Sequence, residues 1–133
     1  MADIHRFPIR IYYEDTDFSG NVYHAAYLKF FERGRTEFLR EEGIHHSELA
    51  GQGLAFAVRS MEIAFEGAAR IDDLLTVTTE VAAISGARLT LNQAIYRDER
   101  VLTRAIVVVV AIKTSGGAAR MPRAILERFG GGK

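Results

Sequence analysis

From His5 to Tyr13 apolar and polar residues alternate: Phe7, Ile9, Ile11 and Tyr13 share one parity, Arg6 and Arg10 the other. A period of two predicts a half-buried strand, and Pro8, which cannot donate to a ladder, suits an edge. Glu14 to Asn21 is polar, contains a glycine and reads as a loop. The period then changes. Over Val22 to Glu42, Tyr23, Tyr27, Phe30, Phe31, Phe38 and Leu39 recur at mostly helical spacing. Gly34 inside this helix costs about 1 kcal/mol relative to Ala, which points to close approach of another backbone. Gly43 supplies the terminator.

The remainder reads mostly as strand. Leu54, Phe56 and Val58 share one parity, Met61, Ile63 and Phe65 the other, so a bulge or sharp bend is expected between them. After a turn at Ala69 to Asp73, Leu74 to Ile84 is rich in Thr and Val, and Gly86 separates it from Arg88 to Tyr96. Asp98 and Glu99 turn the chain into Val101 to Ile112, nearly continuously apolar and so expected to be central. Ser115 to Ala119 reads as a turn, Met121 to Phe129 as a short strand end or helix, and Gly130 to Lys133 as a frayed tail. One strand, one long helix and about four strands in meander predict an α+β architecture. In it an antiparallel sheet buries the helix against its concave face. Neither βαβ alternation nor a GxGxxG motif appears, which argues against a dinucleotide fold.

Composition narrows the functional classes. With 133 residues and no repeat or linker, the chain is expected to form a single domain, 1–133. Lys plus Arg and Asp plus Glu number 17 each, so no global field favours nucleic acid. The absence of cysteine excludes a disulfide scaffold, a thiol nucleophile and a Cys-based zinc site. The first residues lack the apolar run of a secretory signal, and Ala105 to Ile112 is too short to span a membrane. A cytoplasmic location is the expectation.

Candidate chemistry concentrates in one place. Glu14, Asp15 and Asp17 lie within four residues on the loop that feeds the long helix. A helix start presents unpaired N–H groups and a positive dipole end, which can polarise a carbonyl. A carboxylate beside such donors supplies the other half of an acyl-transfer site. Two other readings of the loop compete. Asp and Ser ahead of a helix can serve simply as caps. Asp15, Asp17, Ser19 and Gly20 also mimic the opening of an EF-hand loop, but its twelfth position is Ala26 and a strand precedes it. His24 stands alone and His45–His46 lack helical partner spacing, so no metal is expected either.

The segment YYEDTDFSGNVYHAAYL, the helix pattern FFERGRTEFLR, and then AFAVRSMEIAF, AARIDD and MPRAI follow in order over nearly the whole chain. Together they resemble the hotdog-fold thioesterases, in particular the bacterial acyl-CoA thioesterases encoded beside the Tol–Pal envelope system. The likeness to 4-hydroxybenzoyl-CoA thioesterase is more distant. The resemblance implies a hotdog fold, a curved antiparallel sheet wrapped around one long central helix, and hydrolysis of an acyl-CoA thioester without a cofactor. It also implies that Asp17 is the catalytic carboxylate, as nucleophile or as general base on water. The thioester carbonyl is implied to accept from backbone N–H at the helix start, on His24 with Tyr23 nearby. The loop departs from the pattern in one respect: FSGN stands where many relatives have AGGV, and Phe18 would narrow or desolvate the acyl pocket.

Other residues carry weaker expectations. Arg59, Arg88, Lys113, Arg120 and Arg123 lie near loops or strand ends and are candidates for CoA phosphates, although each singly reads as an ordinary surface charge. Glu32, Arg33, Arg35 and Glu37 are spaced as pairs on a solvated helix face, and Asp72 and Asp73 as turn formers. The resemblance further implies a homo-oligomer, a dimer or dimer of dimers joined edge to edge, with each site drawing on both chains. Acyl-CoA is the expected substrate. An acyl-carrier protein as the carrier, or a non-catalytic acyl-thioester-binding module, is the alternative.

Overall fold

The computed structural model describes residues 4–130. Among these, five strands form one antiparallel sheet: β1 (His5–Arg10), β2 (Leu54–Phe65), β3 (Leu74–Ile84), β4 (Arg88–Arg97) and β5 (Arg100–Lys113). Three α-helices accompany them: α1 (His24–Glu41), α2 (His46–Gly51) and α3 (Arg123–Phe129). The spatial order is β1-β3-β4-β5-β2. Strands β3, β4 and β5 follow as a meander, but β2 pairs with β5 and so stands apart from its successor β3. The expected four-strand meander is corrected in this respect. β5, the longest and most apolar strand, is thereby flanked on both sides and has no open edge.

Helix α1 lies on one face of the sheet. Its Tyr27, Phe30, Phe31, Phe38 and Leu39 are buried in one cluster with Leu75 and Val77 of β3, Leu89, Leu91 and Ile95 of β4, and Val107 and Val109 of β5. The opposite parity of the same strands is less covered, with Ile106 half exposed. The parity switch expected in β2 is present as a register shift between Val58 and Ser60 opposite β5. Pro8 sits on edge strand β1, opposite Thr76. Gly43, at φ +84°, ends α1 with Ile44 N–H donating to Leu39 C=O and Gly43 N–H to Arg40 C=O.

Four sequence expectations change. β1 ends at Arg10, and the chain turns through a short 3-10 segment at Tyr13–Asp15, so Tyr13 is 82% exposed and does not share the buried face of Ile9 and Ile11. Helix α1 begins at His24; Val22 forms an isolated bridge with Thr16, and Tyr23 is 60% exposed. What crowds Gly34 is side chains, not a backbone: a Cβ there would lie 2.6 Å from Val77 Cγ1 and 3.3 Å from Gln93 Nε2. Arg35 does not belong to a solvated face, because its Nη1 donates to Gln93 Oε1 at 3.1 Å. Gln93 is buried and also donates to Phe31 C=O and Thr79 Oγ1, tying α1 to β3 and β4. Burial lowers the Arg35 pKa and Glu32 opposes that effect.

Helix α2 was not foreseen, and Met121–Phe129 resolves as the helix α3. Helix α3 closes over the end of α1, with Phe129 stacked on Phe38 and Arg128 ion-paired to Glu42. Of the expected tail, only Gly130 falls within the described residues.

Candidate active site

The acidic loop is a narrow, hydrogen-bonded turn. Asp17 N–H donates to Asn21 C=O at 2.8 Å and Gly20 N–H returns to Asp17 C=O at 3.1 Å. Gly20 takes φ +85°, a conformation L side chains rarely adopt. The three carboxylates have separate fates. Glu14 is exposed, and Asp15 Oδ2 accepts from Tyr12 N–H at 2.9 Å. Asp17 Oδ1 accepts from both Ser19 Oγ–H at 2.6 Å and Ser19 N–H at 2.8 Å. These bonds favour the charged form and lower the Asp17 pKa, with the Ser19 hydroxyl as the largest cause. Asp17 is an exposed, ionised carboxylate at neutral pH. Phe18, at the tip, is fully exposed.

The loop is clamped against the connection between β2 and β3. Val22 N–H donates to Ala69 C=O, Ile71 N–H to Gly20 C=O, and Asn21 bridges Arg70. That connection is itself held by Arg97, whose Nη1 donates to Ala68 C=O and pairs with Asp73 at 2.9 Å, and by Tyr27, whose hydroxyl accepts from the buried Ala69 N–H. Asp73 shapes the turn as expected by accepting from Arg70 N–H, while Asp72 occupies φ +73°.

Just after this clamp, α1 starts. Its N-cap is Tyr23, with no side-chain cap, so neither Asp17 nor Ser19 caps this helix. Tyr23 N–H is committed to Asp15 C=O at 2.9 Å. Among the described residues, the next two amides, of His24 and Ala25, donate to no backbone carbonyl, as expected at a helix start. The His24 ring packs on Phe65 at the end of β2, with centroids 4.9 Å apart. An ionised carboxylate and free amides at a dipole end thus sit at one end of the fold.

Comparison with known proteins bears on what this arrangement belongs to. Residues 12–129 match the family model of the Thioesterase-like superfamily. The acyl-CoA thioester hydrolase YbgC of Escherichia coli is 40% identical over 126 residues, covering 93% of this chain and 94% of that one. The acyl-CoA thioesterase YbgC of Haemophilus influenzae is 47% identical over 107 residues, covering 80% of this chain and 79% of that one. This chain belongs to the thioesterase-like superfamily. A solved structure, a probable thioesterase from Bartonella henselae, matches with a TM-score of 0.86 and 46% identity over 90% of this chain and all of that one. The hotdog architecture implied by the sequence resemblance is therefore the fold, and the reaction class of the family is thioester hydrolysis.

Within this thioesterase fold the candidate cations do not gather at Asp17. Arg88 opens β4, Lys113 ends β5, Arg120 packs on Gly86 between β3 and β4, and Arg123 opens α3. All four lie at the end of the sheet opposite the Asp17 loop, which meets the other end through residues 66–73. The 11 residues of β3 separate the two ends, a span of about 35 Å. Arg59 sits midway, exposed, at the β2 bulge.

Cavities follow the same division. A cleft of about 320 Å³ between α1 and β2 is lined by Arg35, Leu39, His46, Phe56, Leu89 and Leu91, toward the cation end. A larger one of about 630 Å³ is on the other sheet face, among Thr76, Thr78, Asn92, Tyr96 and Ile106. Its size does not make it the site, because neither Asp17 nor the start of α1 lines it. The contacts that Ser19, Asn21, Tyr27 and Phe65 make at the site are not expected from the sequence. Only Ser19 carried a local signal, an Asp-x-Ser spacing that forms a side-chain turn.

Proposed function

We propose that this chain hydrolyses acyl-CoA to the free acid and CoA, with Asp17 as the reacting carboxylate and the His24 amide polarising the thioester carbonyl. The observation that carries this reading is that an ionised, exposed Asp17 and the first amide of α1, which has no backbone acceptor, lie at the same end of the fold, where Tyr23 N–H ties the helix start to Asp15 C=O. The carbonyl oxygen accepts from His24 N–H, which stabilises the negative charge that develops on it. In one route an Asp17 oxygen attacks the carbonyl carbon, CoA leaves as thiolate and a mixed anhydride forms. Water then adds to the anhydride, releasing the acid and regenerating Asp17. In the other, Asp17 takes a proton from water as its oxygen attacks, and that proton passes to the departing sulfur. The His24 side chain, fixed on Phe65, orients water or substrate. Tyr23 frames the site through its side chain, since its amide is occupied.

The domain 1–133 works as a homo-oligomer in this reading. Among the described residues β2 has no partner on its outer side, a 12-residue open edge that isolated proteins seldom leave bare. Antiparallel pairing of two β2 edges about a two-fold axis sets the cation end of one chain beside the Asp17 end of the other. The α1–β2 cleft then supplies acyl space to the partner's Asp17, Phe18 closes over the acyl group, and Arg59, Arg88, Lys113, Arg120 and Arg123 face the CoA phosphates. A dimer of dimers repeats this unit. No helix among the described residues is long and apolar enough to cross a membrane; a cytoplasmic location is part of the proposal. Acyl-CoA is favoured over an acyl-carrier protein because the relatives at 40% and 47% identity are acyl-CoA thioesterases.

The test is thiol release from a panel of short, long and aromatic acyl-CoAs by purified wild type and Asp17→Asn. Turnover should fall roughly 10²–10⁴-fold, the scale of a lost acid–base group, with folding and CoA binding retained. Near-normal turnover in Asp17→Asn would remove Asp17 from this role. An active monomer would remove the two-chain site.

A further inference from the structure

Asp17 is exposed on a loop, where a carboxylate ordinarily samples several rotamers. Here it does not stand free. Ser19 Oγ–H donates to Asp17 Oδ1 at 2.6 Å, and Ser19 N–H donates to the same oxygen at 2.8 Å. Two donors converging on Oδ1 fix the carboxylate plane and leave Oδ2 the less committed oxygen. The backbone half of this arrangement is available to any residue at position 19. The hydroxyl half is not.

We propose that Ser19 is a positioning residue for the reaction: its hydroxyl holds the Asp17 carboxylate in one orientation, with Oδ2 turned to the thioester or to the attacking water. This rests on the reading of Asp17 given above. A residue without a hydroxyl at position 19 would have only its amide to offer. The same hydroxyl keeps Asp17 ionised to lower pH, which a bond to the charged form must do. Neighbouring charge is not responsible. Asp15 is bound to Tyr12 N–H, Glu66 to Arg104, and Asp73 to Arg97 and Arg70 N–H. Arg10, Tyr12, Tyr13, Glu14, Tyr23, His24, Arg70 and Asp72 are the other charged and titratable groups in the loop and the segments bonded to it. The lowering comes from hydrogen bonds alone, led by Ser19.

Ser19→Ala, Ser19→Thr and Asp17→Asn separate the possibilities. Each variant is assayed with the acyl-CoA that wild type turns over fastest, as kcat and KM against pH, and the Asp17 carboxyl is titrated by carbon-13 NMR. Ser19→Ala should lower kcat about ten-fold, the scale of losing a hydrogen bond to a charged group, with KM little changed. Its Asp17 carboxyl should titrate at higher pH than in wild type, and the acid limb of kcat/KM should move the same way. Ser19→Thr, which keeps the hydroxyl, should restore both. If Asp17→Asn is inactive while Ser19→Ala matches wild type in kcat and carboxyl titration, Ser19 has no such role. Activity in Asp17→Asn would instead overturn the reading of Asp17, and the role of Ser19 with it.

Discussion

Replacing Gly34 by Ala sets two opposing energies against each other, and the structure decides between them. In mid-helix, Ala is favoured over Gly by about 1 kcal/mol. Against this, the new Cβ would lie 2.6 Å from Val77 Cγ1 and 3.3 Å from Gln93 Nε2. Neither neighbour can yield easily. Val77 is fully buried on β3, in register with Phe7 on one side and Ile95 on the other. Gln93 Nε2 is held by Phe31 C=O and Thr79 Oγ1. Overpacking of this kind costs about 1–3 kcal/mol, and two fixed neighbours favour the upper part of that range. The net expectation is a loss of about 1–2 kcal/mol, seen as a Tm lower by roughly 3–10 °C for a domain of this size. Urea denaturation at fixed protein concentration checks it, with an unchanged slope showing that the native and denatured states remain comparable. Val77→Ala in the Gly34→Ala background should cost less than the sum of the single changes, because the trimmed side chain makes room for the methyl. A Gly34→Ala protein as stable as wild type would refute the argument that packing excludes a side chain here.

Two further outcomes follow from the site. Tyr27→Phe leaves the buried Ala69 N–H without its acceptor, so a loss of about 1–3 kcal/mol is expected. Amide exchange at Ala69 should accelerate, and unchanged exchange there would discount the clamp. A single turnover in oxygen-18 water separates the two chemical routes. Label in Asp17 is expected if the anhydride forms and is hydrolysed at the Asp17 carbonyl, and trapping of an acylated Asp17 by hydroxylamine is expected wherever the anhydride is hydrolysed; neither label nor trapped adduct on Asp17 would leave general-base attack by water.

Much of the fold was legible because hydrophobic period reports directly on which side of an element is buried. The strands at Leu74 and Arg88, the bulge in β2 and the Gly43 stop follow from parity, turn residues and backbone freedom, all local properties. The acidic loop stood out by its density of carboxylates and its place before a helix, and the full-length resemblance pointed to Asp17 and His24. Where local reasoning failed, a distant contact had won. Tyr13 keeps the strand parity but leaves the sheet, because Ile11 hands its amide to Asp73 C=O and the chain turns. Arg35 keeps the spacing of a solvated pair but reaches inward to Gln93, 58 residues away.

The sequence by itself determined the order of the strands and of α1, most of their buried faces and the loop that carries the candidate chemistry, since these depend on neighbours a few residues apart. Only the structure showed how the carboxylates are bonded: Asp15 Oδ2 accepts from Tyr12 N–H, while Asp17 Oδ1 accepts from the Ser19 hydroxyl and amide and the side chain stays exposed. It also decided that Asp17 and four of the five candidate phosphate-binding cations stand at opposite ends of one sheet, a separation set by strand length and direction that no local pattern encodes.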